Sequence, residues 1–224
     1  MFQRSWFYLA SVLLCATLIC TDMQARAQEH LENNAPSSFS NGVNVKPGKA
    51  SEPATQEQVA NAILADTLSK LDAQTDVHFH EGEYDHIINL YRIIVEGDPK
   101  NMSAYENAAY LLWSTDRNPQ AIEFLKQGIK NNPDIYYMYD ELGNHYWLRN
   151  KDPKNAITYL RQAVQHTCPP TTWHSLANCY EKLGLLEQAV KAWERAAKYP
   201  NNSVAKIRLQ RAKSELDRRN RDRA

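Results

Sequence analysis

The sequence predicts an all-α protein, a superhelix of stacked helix-turn-helix units, on three observations. First, apolar residues recur at a fixed interval: Tyr105, Tyr139 and Trp173 are 34 residues apart, as are Ala108, Leu142 and Leu176, then Ala109, Gly143 and Ala177, then Leu112, Tyr146 and Tyr180. Second, Gly82, Asp116, Asn150 and Gly184 keep the same interval and are types that tolerate the left-handed backbone needed to stop a helix. Third, a second set follows each stop at i, i+4, i+7: Ile87/Tyr91/Ile94, Ala121/Leu125/Gly128, Ala156/Leu160/Ala163 and Ala189/Trp193/Ala196. Pro99, Pro133, Pro169 and Pro200 then punctuate each unit. One such hairpin cannot bury its own apolar face, so the units must stack.

From the N-terminus, MFQR, the apolar run SWFYLASVLLCATLIC and the triplet Ala25-Arg26-Ala27 have the layout of a secretory leader over 1–27. The run is roughly 16 residues, short of the ~20 that a bilayer-spanning helix needs. The expectation is export with cleavage after Ala27, to a periplasmic or secreted location. Neither Cys15 after Leu14 nor Cys20 after Ile19 follows the small residue a lipidated cysteine requires. Removal of the leader leaves Cys168 and Cys179, which a helix starting near Thr171 holds too far apart to bridge, so both are expected as packing residues or free thiols.

Residues 28–54 are rich in Asn, Ser, Pro and Gly without apolar periodicity and are expected to be a disordered linker. Within them Gly42 to Lys49 fails as a phosphate loop, because the glycine spacing is too long and Ala50 stands where Ser or Thr is required. Thr55 with Gln58 forms a capping box that opens a helix, followed by Val59, Ile63, Leu64, Leu68 and Leu71. Units are then expected at 55–101, where only the second half keeps the pattern, and at 102–135, 136–169 and 170–201. The third carries one extra residue near Asp152-Pro153. Over 202–224, Ala205, Leu209, Ala212 and Leu216 on one face and charge elsewhere suit a capping helix and tail.

The segment Trp173, Leu176, Ala177, Tyr180, Gly184, Ala189, Trp193, Ala196 and Pro200 resembles the tetratricopeptide repeat, with its W-x-x-L-G-x-x-Y, A-x-x-x-F and P pattern. Tyr105, Ala108, Ala109, Leu112, Ala121, Leu125, Gly128 and Pro133 repeat it, as do Tyr139, Leu142, Gly143, Tyr146, Ala156, Leu160 and Ala163. The resemblance implies a right-handed α-solenoid whose first helices line a concave groove that binds partner proteins. On that face stand Asp72, Asp76 and Phe79, then Glu106, Tyr110 and Trp113, then Tyr137, Asp140, Asn144 and Trp147, then His174, Asn178 and Glu181. Asn144 and Asn178 are 34 apart and suited to bonding an extended peptide backbone, with Trp113, Trp147, Tyr110 and Tyr137 as flat anchors. The same aromatics also suit padding between helices. Glu106 and Asp140 stand where the carboxylate-clamp subtype of the family carries basic residues, so a neutral or basic partner segment is expected.

Lys plus Arg equals Asp plus Glu, 26 against 26, which gives no field for nucleic acid. No HExxH, GxSxG or CxxC motif is present, so catalytic residues, cofactors and a small-molecule substrate are not expected. The stretch HFHEGEYDH, residues 78–86, is the one metal-like feature. In the helical register His78 falls in the core column, His80 points roughly 200° away and His86 lies on the polar surface of the next helix. The expectation is three imidazoles facing three ways and no metal ligand, with metal binding at His78–His86 kept as a minor alternative. The functional expectation is an exported, non-enzymatic interaction scaffold or adaptor, the alternative being a self-assembling homo-oligomeric subunit.

Overall fold

The computed structural model describes residues 55–223. The leader at 1–27 and the linker at 28–54 lie outside them. Among the described residues every regular element is helical: α1 (Gln56–Glu81), α2 (Tyr84–Gly97), α3 (Met102–Ser114), α4 (Asn118–Asn131), α5 (Tyr136–Asn144) continuing into a wide π turn (His145–Arg149), α6 (Pro153–Ala163), α7 (Pro170–Lys182), α8 (Leu186–Ala197) and α9 (Ser203–Arg221). Consecutive helices pack as antiparallel pairs, and each pair packs on the next.

The helix boundaries follow local chemistry. Thr55 N–H donates to Gln58 Oε1 at 2.8 Å and Gln58 N–H to Thr55 Oγ1 at 3.2 Å, the reciprocal pair expected for the start of α1. Asn101, Asp152 and Asn202 accept from the backbone three residues on, each at 3.1 Å, and so start α3, α6 and α9. Gly82, Asp116 and Gly184 stop their helices at φ of 78°, 61° and 69°.

The third stop corrects the sequence reading. Asn150 is right-handed at φ −85° and Lys151 takes the left-handed position at φ 54°. The extra residue of this unit is absorbed upstream of Asp152-Pro153, in the wide turn, where Asn150 N–H reaches back five residues to His145 O at 3.2 Å. The stop therefore falls one residue late.

The predicted columns form the core except at Tyr139, which is half-buried and stacks on His166 at 5.7 Å while Met138 beside it is buried. Tyr105, Ala108, Leu112, Ala121, Leu125 and Leu142 are buried with Ile87, Tyr91 and Ile94 in one cluster. Ala156, Leu160, Leu176 and Cys179 continue it, and Ala177, Trp193, Ala196, Ala205 and Ala212 close it at the C-terminal end. Tyr146 is half-buried and stacks on Tyr159 at 5.6 Å between centroids. Tyr180 is half-buried against the neighbouring clusters. Helix spacing is set by the glycines: a Cβ on Gly128 would stand 2.6 Å from Met138 Cε, and one on Gly143 2.6 Å from Leu160 Cγ and 3.2 Å from its backbone nitrogen. Cys168 and Cys179 are buried free thiols, the latter pushed up to about 12 by burial.

The two ends differ. Leu68, Leu71 and Thr75 seat α1, Leu68 covering Gly97, while Val59 and Ile63 on its outer half are 47% and 63% exposed. At the other end α9 lays Ala205, Leu209, Ala212 and Leu216 on the last pair and Arg219 donates to Gly184 O at 2.7 Å. No helix among the described residues is long and apolar enough to cross a membrane.

Leu160 and Gly143 meet at the joint between α5 and α6. Leu160→Ala is expected to lower unfolding free energy by about 2–5 kcal/mol through a cavity. Gly143→Val is expected to lower it by about 1–3 kcal/mol through overpacking. Urea titration followed by circular dichroism checks both.

Candidate functional site

The first helices α3 and α5 lie close enough to share side-chain contacts along one face. Tyr137 donates its hydroxyl to Glu106 across that joint. Burial, reinforced by Glu141 and Glu106, drives the Tyr137 phenol far above its ordinary range, so it stays a donor. Tyr110 and Trp113 stand side by side at 6.0 Å between centroids. Arg149, the last residue of the wide turn, lays its guanidinium over both rings, 4.9 Å from Tyr110 and 4.6 Å from Trp113. Burial opposes the charge of Arg149 and holds it below its ordinary range, Glu141, Tyr110 and Glu106 offsetting only part of that penalty. One turn before Arg149, His145 is buried with Nε2 2.7 Å from Asn118 Oδ1, which ties the wide turn to α4. Desolvation, with Arg149 as a second cause, brings His145 down to about 4.

Further along α5, Asn144 Nδ2 donates to Asp140 Oδ2 at 3.0 Å, while Asn144 Oδ1 is buried with no hydrogen-bond partner among the described residues. Trp147 packs into the Leu160–Leu176 cluster and is half-buried there, a padding role rather than a free anchor.

On α7 the expected face residues are held by the C-terminal helix. Asn202 Nδ2 lies 2.9 Å from His174 Nε2. Arg208 donates to Asn178 Oδ1 at 2.7 Å and to Glu181 Oε2 at 3.1 Å, and Glu181 also accepts from Trp193 Nε1 at 2.8 Å. Asn144 and Asn178 therefore do not stand as an equivalent open pair, because α9 occupies the second. The structure thus brings together Glu106, Tyr110, Trp113 and Tyr137, sets Asp140 and Asn144 beside each other, and separates off His174 and Asn178.

Sequence reasoning missed two cations, Arg149 and Arg208. For Arg208 the signal was present: Glu106, Asp140 and His174 are 34 apart, and one further step lands on Arg208. Arg149 had no such column, because the wide turn shifts it. Two open clefts lie elsewhere, one of about 620 Å³ between α2 and α4 lined by Arg92, Glu96 and Phe124, the other of about 400 Å³ lined by Arg161, Trp173 and Lys191.

The histidine stretch also departs from expectation. His78 is half-buried rather than core, with Nδ1 2.6 Å from Glu83 Oε2 and 3.8 Å from Glu81 Oε2. Its ring meets that of His86 at 4.1 Å between centroids. Only His80 faces away, exposed beside Asp76 at 3.8 Å. The left-handed turn at Gly82 is tight enough to fold the first turn of α2 back against the last turn of α1, which the helical register of α1 alone does not reveal.

The stacked helix pairs have counterparts among known proteins. Two stretches match the tetratricopeptide repeat, 103–135 and 170–203. A TPR repeat-containing protein of Methanocaldococcus jannaschii, MJ1428, is 25% identical over 130 residues, 58% of this chain. The matched stretch spans only 23% of that relative's length. A crystal structure of MamA superposes with a TM-score of 0.54 at 19% identity, covering 70% of this chain and 86% of MamA. PilF of Pseudomonas aeruginosa superposes at 0.53 with 13% identity, covering 69% and 71% respectively. The fold is thus a tetratricopeptide-like α-solenoid.

His145 gives this fold a pH dependence. The unfolded chain binds a proton below about 6.5 that the folded chain refuses until about 4, so the contribution is whole above 6.5 and is lost as pH falls through that window. Between pH 7.5 and 5 the loss should be about 2 kcal/mol. His145→Gln, which keeps a donor toward Asn118, should flatten that slope in urea midpoints measured at the two pH values.

Proposed function

We propose that the protein is an exported, non-enzymatic scaffold that holds an extended, neutral or basic segment of a partner protein on the face shared by α3 and α5. The observation that carries this reading is Asn144 Oδ1, a buried amide oxygen without a donor among the described residues. Leaving such a group unsatisfied costs about 1–3 kcal/mol, and an Asn144 amide turned outward onto a peptide N–H would remove that cost. Tyr110 and Trp113 lie on the neighbouring helix, half-exposed, and their stacking on Arg149 is a worked instance of the cation they accept. Glu141 and Glu106 act on Arg149, which lies over both rings, so the charge beside the aromatic pair is mixed with acid and favours a basic over an acidic segment. The α7 end of the face is closed by Arg208, so the segment is confined to the two middle units. Export rests on the layout of residues 1–27.

A competing reading, self-assembly, rests on the uncovered Val59, Ile63 and Leu64 of α1, which are 47%, 63% and 43% exposed.

An array of extended peptides of graded charge, followed by fluorescence anisotropy on the hits, tests the scaffold reading. Asn144→Ala and Trp113→Ala should each weaken binding by ten-fold or more with the helical circular dichroism unchanged. Peptides bound equally by both variants, or no peptide bound while light scattering shows mass rising with concentration, would transfer the case to self-assembly. In the native host, N-terminal sequencing of exported protein should begin at Gln28; intact protein retained with Met1 would remove the export claim.

A further inference from the structure

The turn between α1 and α2 reads the same in both directions about its glycine: His78-x-x-Glu81-Gly82-Glu83-x-x-His86. The symmetry has a spatial meaning. His78 and Glu81 are three apart on the last turn of α1 and share a face, as Glu83 and His86 do at the start of α2. Gly82, at φ 78°, folds the second pair onto the first. His78 Nδ1, a Glu81 oxygen and a Glu83 oxygen all lie within 4.8 Å of one another, and the His86 ring lies against that of His78 at 4.1 Å.

We propose that His78, Glu81 and Glu83 form a binding site for one divalent transition-metal ion of the zinc class, with the exposed His86, whose ring lies against that of His78, turning in as the fourth ligand. Four ligands at 2.0–2.2 Å in a tetrahedron stand about 3.4 Å apart. The observed 2.6 Å between His78 and Glu83 must open and the 3.8 Å between His78 and Glu81 must close, each by less than an ångström. Both glutamates are exposed and free of core packing, so rotamer changes supply that motion. Two imidazoles with two carboxylates suit zinc or a neighbouring first-row ion, and exclude calcium and magnesium, which take oxygen ligands. His80, on the opposite side of α1, is not a ligand. The ion would tie the last turn of α1 to the start of α2 across the turn at Gly82.

The test is isothermal titration of the full chain, free of any affinity tag, with zinc chloride, alongside metal analysis after dialysis. One zinc per chain is expected, with no heat from calcium or magnesium chloride at the same concentration. His86→Gln and Glu83→Gln, both surface changes, should each weaken zinc binding at least ten-fold, and His80→Gln should leave it unchanged. Amide exchange at the end of α1 should slow when zinc is added to the parent chain and not to His86→Gln. No stoichiometric uptake by the parent chain, or a loss in His80→Gln equal to that in His86→Gln, would overturn the assignment.

Discussion

Each helix pair has one apolar face too many, and that surplus is what builds the molecule. The second helix of a pair is covered on one side by its own partner and on the other by the next unit, so no unit is complete alone. Closeness at these joints depends on side chains that are absent. Gly128 admits Met138 and Gly143 admits Leu160 to distances at which no Cβ fits. Large residues such as Trp193, Tyr105 and Leu125 fill the space between the joints. Because dispersion gains fall steeply with small gaps, the alternation of tiny and bulky positions fixes both the spacing and the sidedness of the stack.

That alternation is also why so much of the fold could be read from one sequence. Columns at a fixed interval name the core directly, since a residue buried in one unit has a counterpart buried in the next. Caps are similarly legible, as Thr55 with Gln58 shows, because the partners are three residues apart. Legibility ends where the interval breaks. In the third unit, the left-handed stop moved from Asn150 to Lys151 because hydrogen bonds in the wide turn, rather than the loop, took up the additional residue. Contacts across turns and between distant helices were harder still. The meeting of His78 with His86 depends on the angle set at Gly82, and the reach of Arg149 depends on the wide turn, neither of which leaves a periodic trace.

The shared face of the first helices shows how interaction surfaces and internal packing compete for the same side chains. Of the residues expected there, Trp147 is absorbed into packing, Glu106 is satisfied by Tyr137, and His174 and Asn178 are engaged by the last helix. Tyr110 and Trp113, half-exposed with Arg149 over both rings, and the Asn144 oxygen without a partner among the described residues remain as the chemistry with something left to offer. A buried polar atom with no partner is informative because the interior ordinarily does not tolerate one.

The wide turn at His145–Arg149 has a further consequence for how such a chain can change over time. A residue inserted into a regular helix would rotate everything after it by about 100°, turning the packed side outward. Here the additional residue is swallowed within five positions, and α6 resumes with Ala156, Leu160 and Ala163 still buried. The disturbance behaves like a fault in a crystal that heals before it reaches the next plane. Arrays of this kind can thus lengthen one rung without re-inventing the remainder.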